Sequence, residues 1–268
     1  MSRPTSKKKK ERQQSQQPHP SLLYPSSTKA FVETPHGMTV SLLLLLLHLP
    51  LVHTRRLPTV NELNKRLLSS SRSGDLSLVK QSLKLGANIE AIEHGIGKSS
   101  ALQLAANYGH LSIVKYLVGR GANIDAQDTS GHTPLMYASF EGHVEVVQFL
   151  LSVKANVHHA CMSGETALHE AAQGGKTKVV ELLLKHGHRI DPADTRWSGA
   201  TPLMWAARWG HTETTRVLLE AGADHTIVTK DQIGLQKWAE HEETTNNPLY
   251  NVTGDVAKKD VLRILNEL

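Results

Sequence analysis

The stretch GHTPLMYASFEGH (residues 131–143) decides the fold, because versions of it recur along the chain at a nearly fixed spacing. Its second glycine, Gly142, has counterparts at Gly109, Gly175 and Gly210, and consecutive members of this series are 33, 33 and 35 residues apart. A period in this range is typical of stacked supersecondary units that bury their apolar faces against one another. The sequence therefore predicts a repeat protein.

The residues of one copy explain its local structure. Thr133 is suited to cap a helix, since its hydroxyl can accept a hydrogen bond from a free backbone N–H. Pro134 follows at the first helical position, where a missing N–H costs nothing. Gly142 tolerates the left-handed backbone that ends the helix. Apolar residues then recur along one face of a second helix, over 144–151.

Four copies carry a common signature. They are SALQLAA (100–106), TPLMYA (133–138), TALHEAA (166–172) and TPLMWAA (201–207). These segments resemble the ankyrin repeat, whose T-P-L-H-x-A signature has a similar period. The resemblance implies an all-α ankyrin-repeat solenoid of helix-turn-helix units with protruding hairpin loops. We expect about five repeats and a divergent C-terminal capping unit.

The sequence predicts two regions of different character. Residues 1–60 are predicted to be a disordered basic tail with a short Leu-rich segment. Residues 61–268 are predicted to form the ankyrin repeat domain. Its approximate units are 61–97, 98–130, 131–163, 164–198, 199–231 and 232–268.

The charge is distributed unevenly between these regions. The chain has a formal net charge of +5, but residues 1–60 carry +7, which leaves −2 for residues 61–268. A solenoid that binds nucleic acid is expected to have a basic face on its folded part, so this partner is disfavoured. The single cysteine, Cys161, excludes an intramolecular disulfide framework and favours a reducing compartment.

Two segments have no assigned role. Residues 38–53 include a leucine run that is too short for a membrane span. This run could pack on the first repeat, stay poorly ordered, associate with a membrane, or belong to a signal segment from an alternative start. Residues 244–254 interrupt the last unit and could be a surface loop or a second contact site.

Two segments only partly match catalytic or metal-binding motifs. Gly97–Ser99 resembles the end of a P-loop, but Ile92 stands where the first glycine is required. His169-Glu170 begins like a zinc-protease motif, but Gln173 replaces the second histidine. His158, His159, Cys161, His186 and His188 match no metal-binding spacing. We therefore predict no catalytic residues, no metal site and no cofactor.

The variable positions predict a binding surface. By resemblance to the family, partners contact the hairpin tips and the first helix of each unit, which line a concave face. The hairpin tips include Ser130, His132, Met162, Glu165, Arg196 and Trp197. Aromatic residues are scarce in this chain, yet they gather at these variable positions. The predicted partner-binding residues are Tyr108, Tyr137, Phe140, Glu141, Glu170, Gln173, Trp197, Trp205, Arg208 and Trp209.

These observations favour a non-enzymatic scaffold or adaptor that binds another protein through the concave surface. We expect no small-molecule substrate, disfavour a membrane as partner, and expect a monomer in the cytoplasm or the nucleus. The alternative is a nuclear regulatory protein that uses Lys7–Lys10 for nuclear import or nucleic-acid contact.

Overall fold

The computed structural model describes residues 57–95, 97–196, 199–240 and 255–267. Within these ranges the chain forms helices joined by turns and contains no strand, which confirms the predicted all-helical solenoid. The helices are α1 (Val60–Ser73), α2 (Leu76–Lys84), α3 (Ala101–Asn107), α4 (Leu111–Gly119), α5 (Pro134–Glu141), α6 (Val144–Ser152), α7 (Ala167–Gln173), α8 (Thr177–Lys185), α9 (Pro202–Arg208), α10 (Thr212–Glu220), α11 (Leu235–Glu240) and α12 (Asp255–Asn266).

The first helix of each repeat begins as the sequence predicts. Thr133 and Thr201 accept hydrogen bonds from the backbone N–H three residues later, and a proline occupies the first helical position after each. Gly142 ends α5 with a left-handed φ of 84°. The capping chemistry therefore sets both ends of this short helix.

Helices pack in two layers that follow the order of the chain. The odd-numbered helices contact one another in order from α1 to α11, and the even-numbered helices do so from α2 to α12. Alanines of the odd-numbered layer, such as Ala138, Ala171 and Ala206, are fully buried. Their small side chains let neighbouring helices approach closely, so the core runs between the layers along the stack.

Histidines tie consecutive repeats together. His143 Nε2 donates to the Asn107 carbonyl over 2.9 Å, and His211 Nε2 donates to the Gln173 carbonyl over 2.8 Å. Each ring lies against the turn glycine of the preceding repeat. These histidines therefore link the turn of each repeat to the turn of the repeat before it.

The ends of the described stack differ from its middle. Helix α1 is capped by Thr59, just before the predicted domain boundary at 61. At the other end, Leu235 and Trp238 of α11 are buried, as is Val261 of α12. Among the described residues, no helix is both long enough and apolar enough to cross a bilayer.

Candidate functional site

A groove of about 640 Å³ opens along the odd-numbered helices and the loops that precede them. It extends from α3 to α9, in the middle of the stack. The described residues that line it are Asn107, Ser130, His132, Met136, Tyr137, Phe140, Glu141, Ser163, Glu165, Glu170, Gln173, Arg196, Trp205 and Trp209.

The repeats on either side of the groove's centre each contain an equivalent hydrogen bond between two of their own side chains. In one, Tyr137 Oη donates to Asp128 Oδ2 over 2.6 Å, and burial together with this bond raises the pKa of Tyr137 to about 12. In the other, Trp205 Nε1 donates to Asp194 Oδ2 over 3.2 Å. Each bond joins the base of a hairpin loop to the helix that follows it, and so fixes the loop on its helix.

The repeat between them lacks this donor and acceptor. Cys161 stands at the loop-base position, and Glu170 stands at the helix position. Glu170 pairs instead with the preceding repeat, where its Oε1 lies 3.2 Å from His132 Nε2. This hydrogen bond raises the pKa of His132, and partial burial of the ring opposes the rise. In the middle repeat, Cys161 and Glu170 therefore stand where each neighbouring repeat has a hydrogen-bonded aspartate and aromatic side chain.

Glu165 adds a second buried carboxylate to the centre of the groove. Glu165 is only 7% exposed. Burial raises the pKa of its carboxyl group, and the negative charge of nearby Glu170 raises it further. The positive charge of Arg196 lowers the pKa of the same carboxyl group. Burial also raises the pKa of the Cys161 thiol. With three glutamates and one arginine among its described lining residues, the groove is acidic.

Aromatic side chains line the same groove as these carboxylates. Phe140 is 38% exposed at the end of α5, and Trp209 is half-buried after α9. Tyr137 is also half-buried. Tyr108 is more exposed, stacks near the ring of His110, and does not line the groove. The structure thus brings together seven of the ten residues predicted from the sequence: Tyr137, Phe140, Glu141, Glu170, Gln173, Trp205 and Trp209.

Three of the predicted contact residues are buried in the structure. Trp205 is only 4% exposed, and its ring packs edge-on to Trp238 at a centroid distance of 6.4 Å. Arg208 is 6% exposed and lies outside the groove lining, with its guanidinium 5.2 Å from the Trp238 ring centroid. Because the divergent last repeat supplies Trp238, Arg208 is engaged inside the stack and is not an exposed anchor. Glu170 is 8% exposed, although it still lines the groove.

Several sequence predictions fall outside the described residues. Trp197, placed at a hairpin tip, is one of them. The others are the basic segment Lys7–Lys10, the leucine run within 38–53, and the interruption at 244–254. These assignments stay predictions from the sequence.

The two partial motif matches have structural explanations. Gly97 and Lys98 lie in a loop with positive φ angles, and the Gly97 carbonyl accepts a hydrogen bond from Thr129 of the next repeat. His169 Nδ1 accepts from the Thr166 backbone N–H over 3.1 Å, and its Nε2 donates to the Ala200 carbonyl over 3.1 Å. Both segments therefore hold the repeat scaffold together.

The buried His169 predicts a loss of stability in mild acid. Burial lowers its pKa to about 4, so between pH 7 and pH 5 the unfolded chain binds a proton that the folded chain does not. We expect this difference to cost about 2 kcal/mol of unfolding free energy as the pH falls over that range. Urea unfolding at both pH values measures the loss.

The matched test is His169→Gln. Gln103 occupies the same position in an earlier repeat, where its Oε1 accepts from the Ser100 N–H and its Nε2 donates to the next repeat. We expect the variant to stay folded at pH 7 and to lose much of the acid sensitivity. His158→Gln, at an exposed site, is the control and should keep the sensitivity. Equal acid sensitivity in both variants would disprove the role given to His169.

The fold and groove define a helical repeat protein with an acidic, aromatic-lined concave site in its described part. A family model described as "Ankyrin repeats (3 copies)" matches residues 67–161 and 153–229. Because these matches span more than half of the chain, it belongs to the ankyrin repeat family. A comparison with curated proteins finds no match. Ankyrin repeats generally mediate protein–protein binding, and proteins built from them are typically non-catalytic scaffolds.

Proposed function

We propose that this chain is a non-catalytic scaffold or adaptor that binds a partner protein through the groove on its concave face. The proposal is supported by family membership and by the character of the groove. The observation that carries it is the combination of buried carboxylates and accessible aromatic rings in one site at the centre of the stack. The cytoplasm and the nucleus are the proposed locations.

The chemistry of the groove favours a partner segment with a basic side chain. Glu165 and Glu170 are buried at its floor, so a cation that enters the groove meets charges that solvent screens weakly. Phe140 and Trp209 line the same groove and provide apolar surface for the stem of a lysine or arginine. Aromatic faces also attract such cations directly.

The test is to identify bound proteins by affinity purification with mass spectrometry and then to titrate a purified partner against variants. We expect Phe140→Ala to weaken binding by about 30-fold, which corresponds to about 2 kcal/mol for an aromatic anchor. Trp209→Ala should act in the same direction. Both experiments need a thermal unfolding profile to show that the variant is folded.

The matched control is Leu78→Ala. Leu78 lies on α2 in the other helix layer and is 39% exposed, which is close to the exposure of Phe140. This control should bind the partner as the unaltered chain does. If Phe140→Ala and Trp209→Ala bind normally while Leu78→Ala does not, the proposed location of the site is wrong.

A further inference from the structure

Three potential metal ligands meet beside the groove, and two of them, His132 and Glu165, line it. A ring nitrogen of His132, the sulfur of Cys161 and a carboxylate oxygen of Glu165 all lie within 4.8 Å of one another. Cys161 and Glu165 are buried, whereas His132 is half-buried and faces the groove. This grouping differs from the histidines considered in the sequence: His159 donates to the Gly131 carbonyl, and His158 lies beside His188.

The repeat geometry holds the three groups in place. Cys161 and Glu165 belong to one tight loop, closed by hydrogen bonds from the Cys161 N–H to the Glu165 carbonyl and from the Gly164 N–H to the Cys161 carbonyl. His132 occupies the position in the preceding loop that Glu165 occupies in its own. The Met162 N–H donates to the Ser130 carbonyl, which binds the two loops together. The ligands therefore come from adjacent, connected backbones.

The distance between the sulfur and the carboxylate is close to that in a tetrahedral site. Cys161 Sγ lies 3.7 Å from Glu165 Oε2. Ligand atoms around a tetrahedral zinc ion are about 3.3–3.7 Å apart, given its bond lengths to sulfur, nitrogen and oxygen. The His132 ring nitrogen lies within 4.8 Å of both atoms. The groove side of the cluster leaves room for a fourth ligand.

The state of Glu165 is a second, independent reason to expect a cation. Among the described residues, its carboxylate accepts a single hydrogen bond, the long contact from the Cys161 thiol. A buried carboxylate with so little compensation is costly. Glu170 adds negative charge nearby. The positive charge of Arg196 favours the ionised form of Glu165, but Arg196 is exposed to solvent. A bound dication would offset the cost of this acidic floor.

We propose that His132, Cys161 and Glu165 form a zinc-binding site that opens into the groove. Thiolate and imidazole ligands favour Zn²⁺ over Mg²⁺ or Ca²⁺, which prefer oxygen donors alone. Three protein ligands leave the fourth position for water or for a donor from a bound partner. Because both proposals use Glu165, the metal site is tested separately, with the metal alone and no partner present.

The experiment uses Co²⁺ as a spectroscopic substitute for Zn²⁺ in the full-length, reduced and metal-free chain. Since Cys161 is the chain's single cysteine, a cobalt–thiolate charge-transfer band reports this site and no other. We expect the band to appear at stoichiometric Co²⁺ and to disappear when Zn²⁺ is added. Cys161→Ser should abolish it, and His132→Ala and Glu165→Gln should each weaken the affinity at least tenfold.

The control is His158→Ala, which removes an exposed histidine outside the cluster and should leave the band unchanged. Circular dichroism of each metal-free variant shows whether it folds, and Glu165→Gln, which keeps the side chain's shape, is the variant best suited to remain folded. The proposal is overturned if the unaltered chain gives no thiolate band. It is equally overturned if the band keeps its full affinity in folded His132→Ala and Glu165→Gln.

Discussion

Leu168→Ala is expected to lower the free energy of unfolding by about 3–4 kcal/mol, since it removes a fully buried side chain from the centre of the stack. Leu168 lies on α7, which packs against α5 on one side and α9 on the other. Neither neighbour can close the cavity without losing its own contacts to the next repeat. The cavity should therefore stay largely open, which is why we expect a loss of this size.

Urea unfolding followed by circular dichroism measures this loss, with Leu78→Ala as the control. Leu78 is already 39% exposed, so its truncation should cost less than about 1 kcal/mol. Because each repeat is stabilised by its neighbours, a weakened central repeat can also separate the unfolding of the two ends. Equal, small losses for the two variants would show that the helices do not pack as described.

Gly175→Ala is expected to destabilise the protein by about 3 kcal/mol for two separate reasons. The backbone of Gly175 has a φ of +64°, which disfavours any residue with a Cβ atom. In addition, an added Cβ would lie 2.5 Å from Nδ1 of His211. That imidazole cannot easily move, because its other nitrogen is hydrogen-bonded to the Gln173 carbonyl.

Gly222→Ala is the control that separates backbone strain from the steric clash with a neighbouring side chain. Gly222 has a φ of +90°, but a Cβ there would meet no atom within 4 Å. We expect this control to lose only about 1–2 kcal/mol, the cost of the backbone conformation alone. Adding His211→Ala to Gly175→Ala should recover part of the difference. If the two glycine variants are equally stable, the contact between His211 and the turn is not a constraint.

The architecture was predictable because each repeat carries its own local signals. Thr133, Pro134 and Gly142 specify where one helix begins and ends, and their recurrence defines the stack without any knowledge of tertiary contacts. The signature also identified which positions face the concave side. Tyr137 and Phe140 were found in this way, and both line the groove.

Burial at those positions was less predictable, because it depends on the neighbouring repeat. Arg208 carries the charge and length of an exposed anchor, yet its guanidinium lies over Trp238 of the divergent last repeat. Nothing in the local sequence of α9 indicates that ring. Trp205 is buried against the same residue.

The cluster beside the groove was missed for a related reason. His132 and Glu165 are separated by one repeat, so no local spacing motif connects them with Cys161. A usable signal was present at the loop-base position, where a cysteine replaces the aspartate of the repeats on either side. Aligning the repeats by register and comparing such positions would have drawn attention to the middle repeat.

The most direct test of the central claim, that partners bind in the groove, is site-specific photo-cross-linking. A photoreactive phenylalanine analogue placed at position 140 should cross-link the purified partner, and the same analogue at position 78 should not. Glu165→Gln combined with Glu170→Gln should reduce the cross-link at position 140, because a basic side chain would lose its counter-charge. Cross-linking at position 78 with none at position 140 would contradict the account.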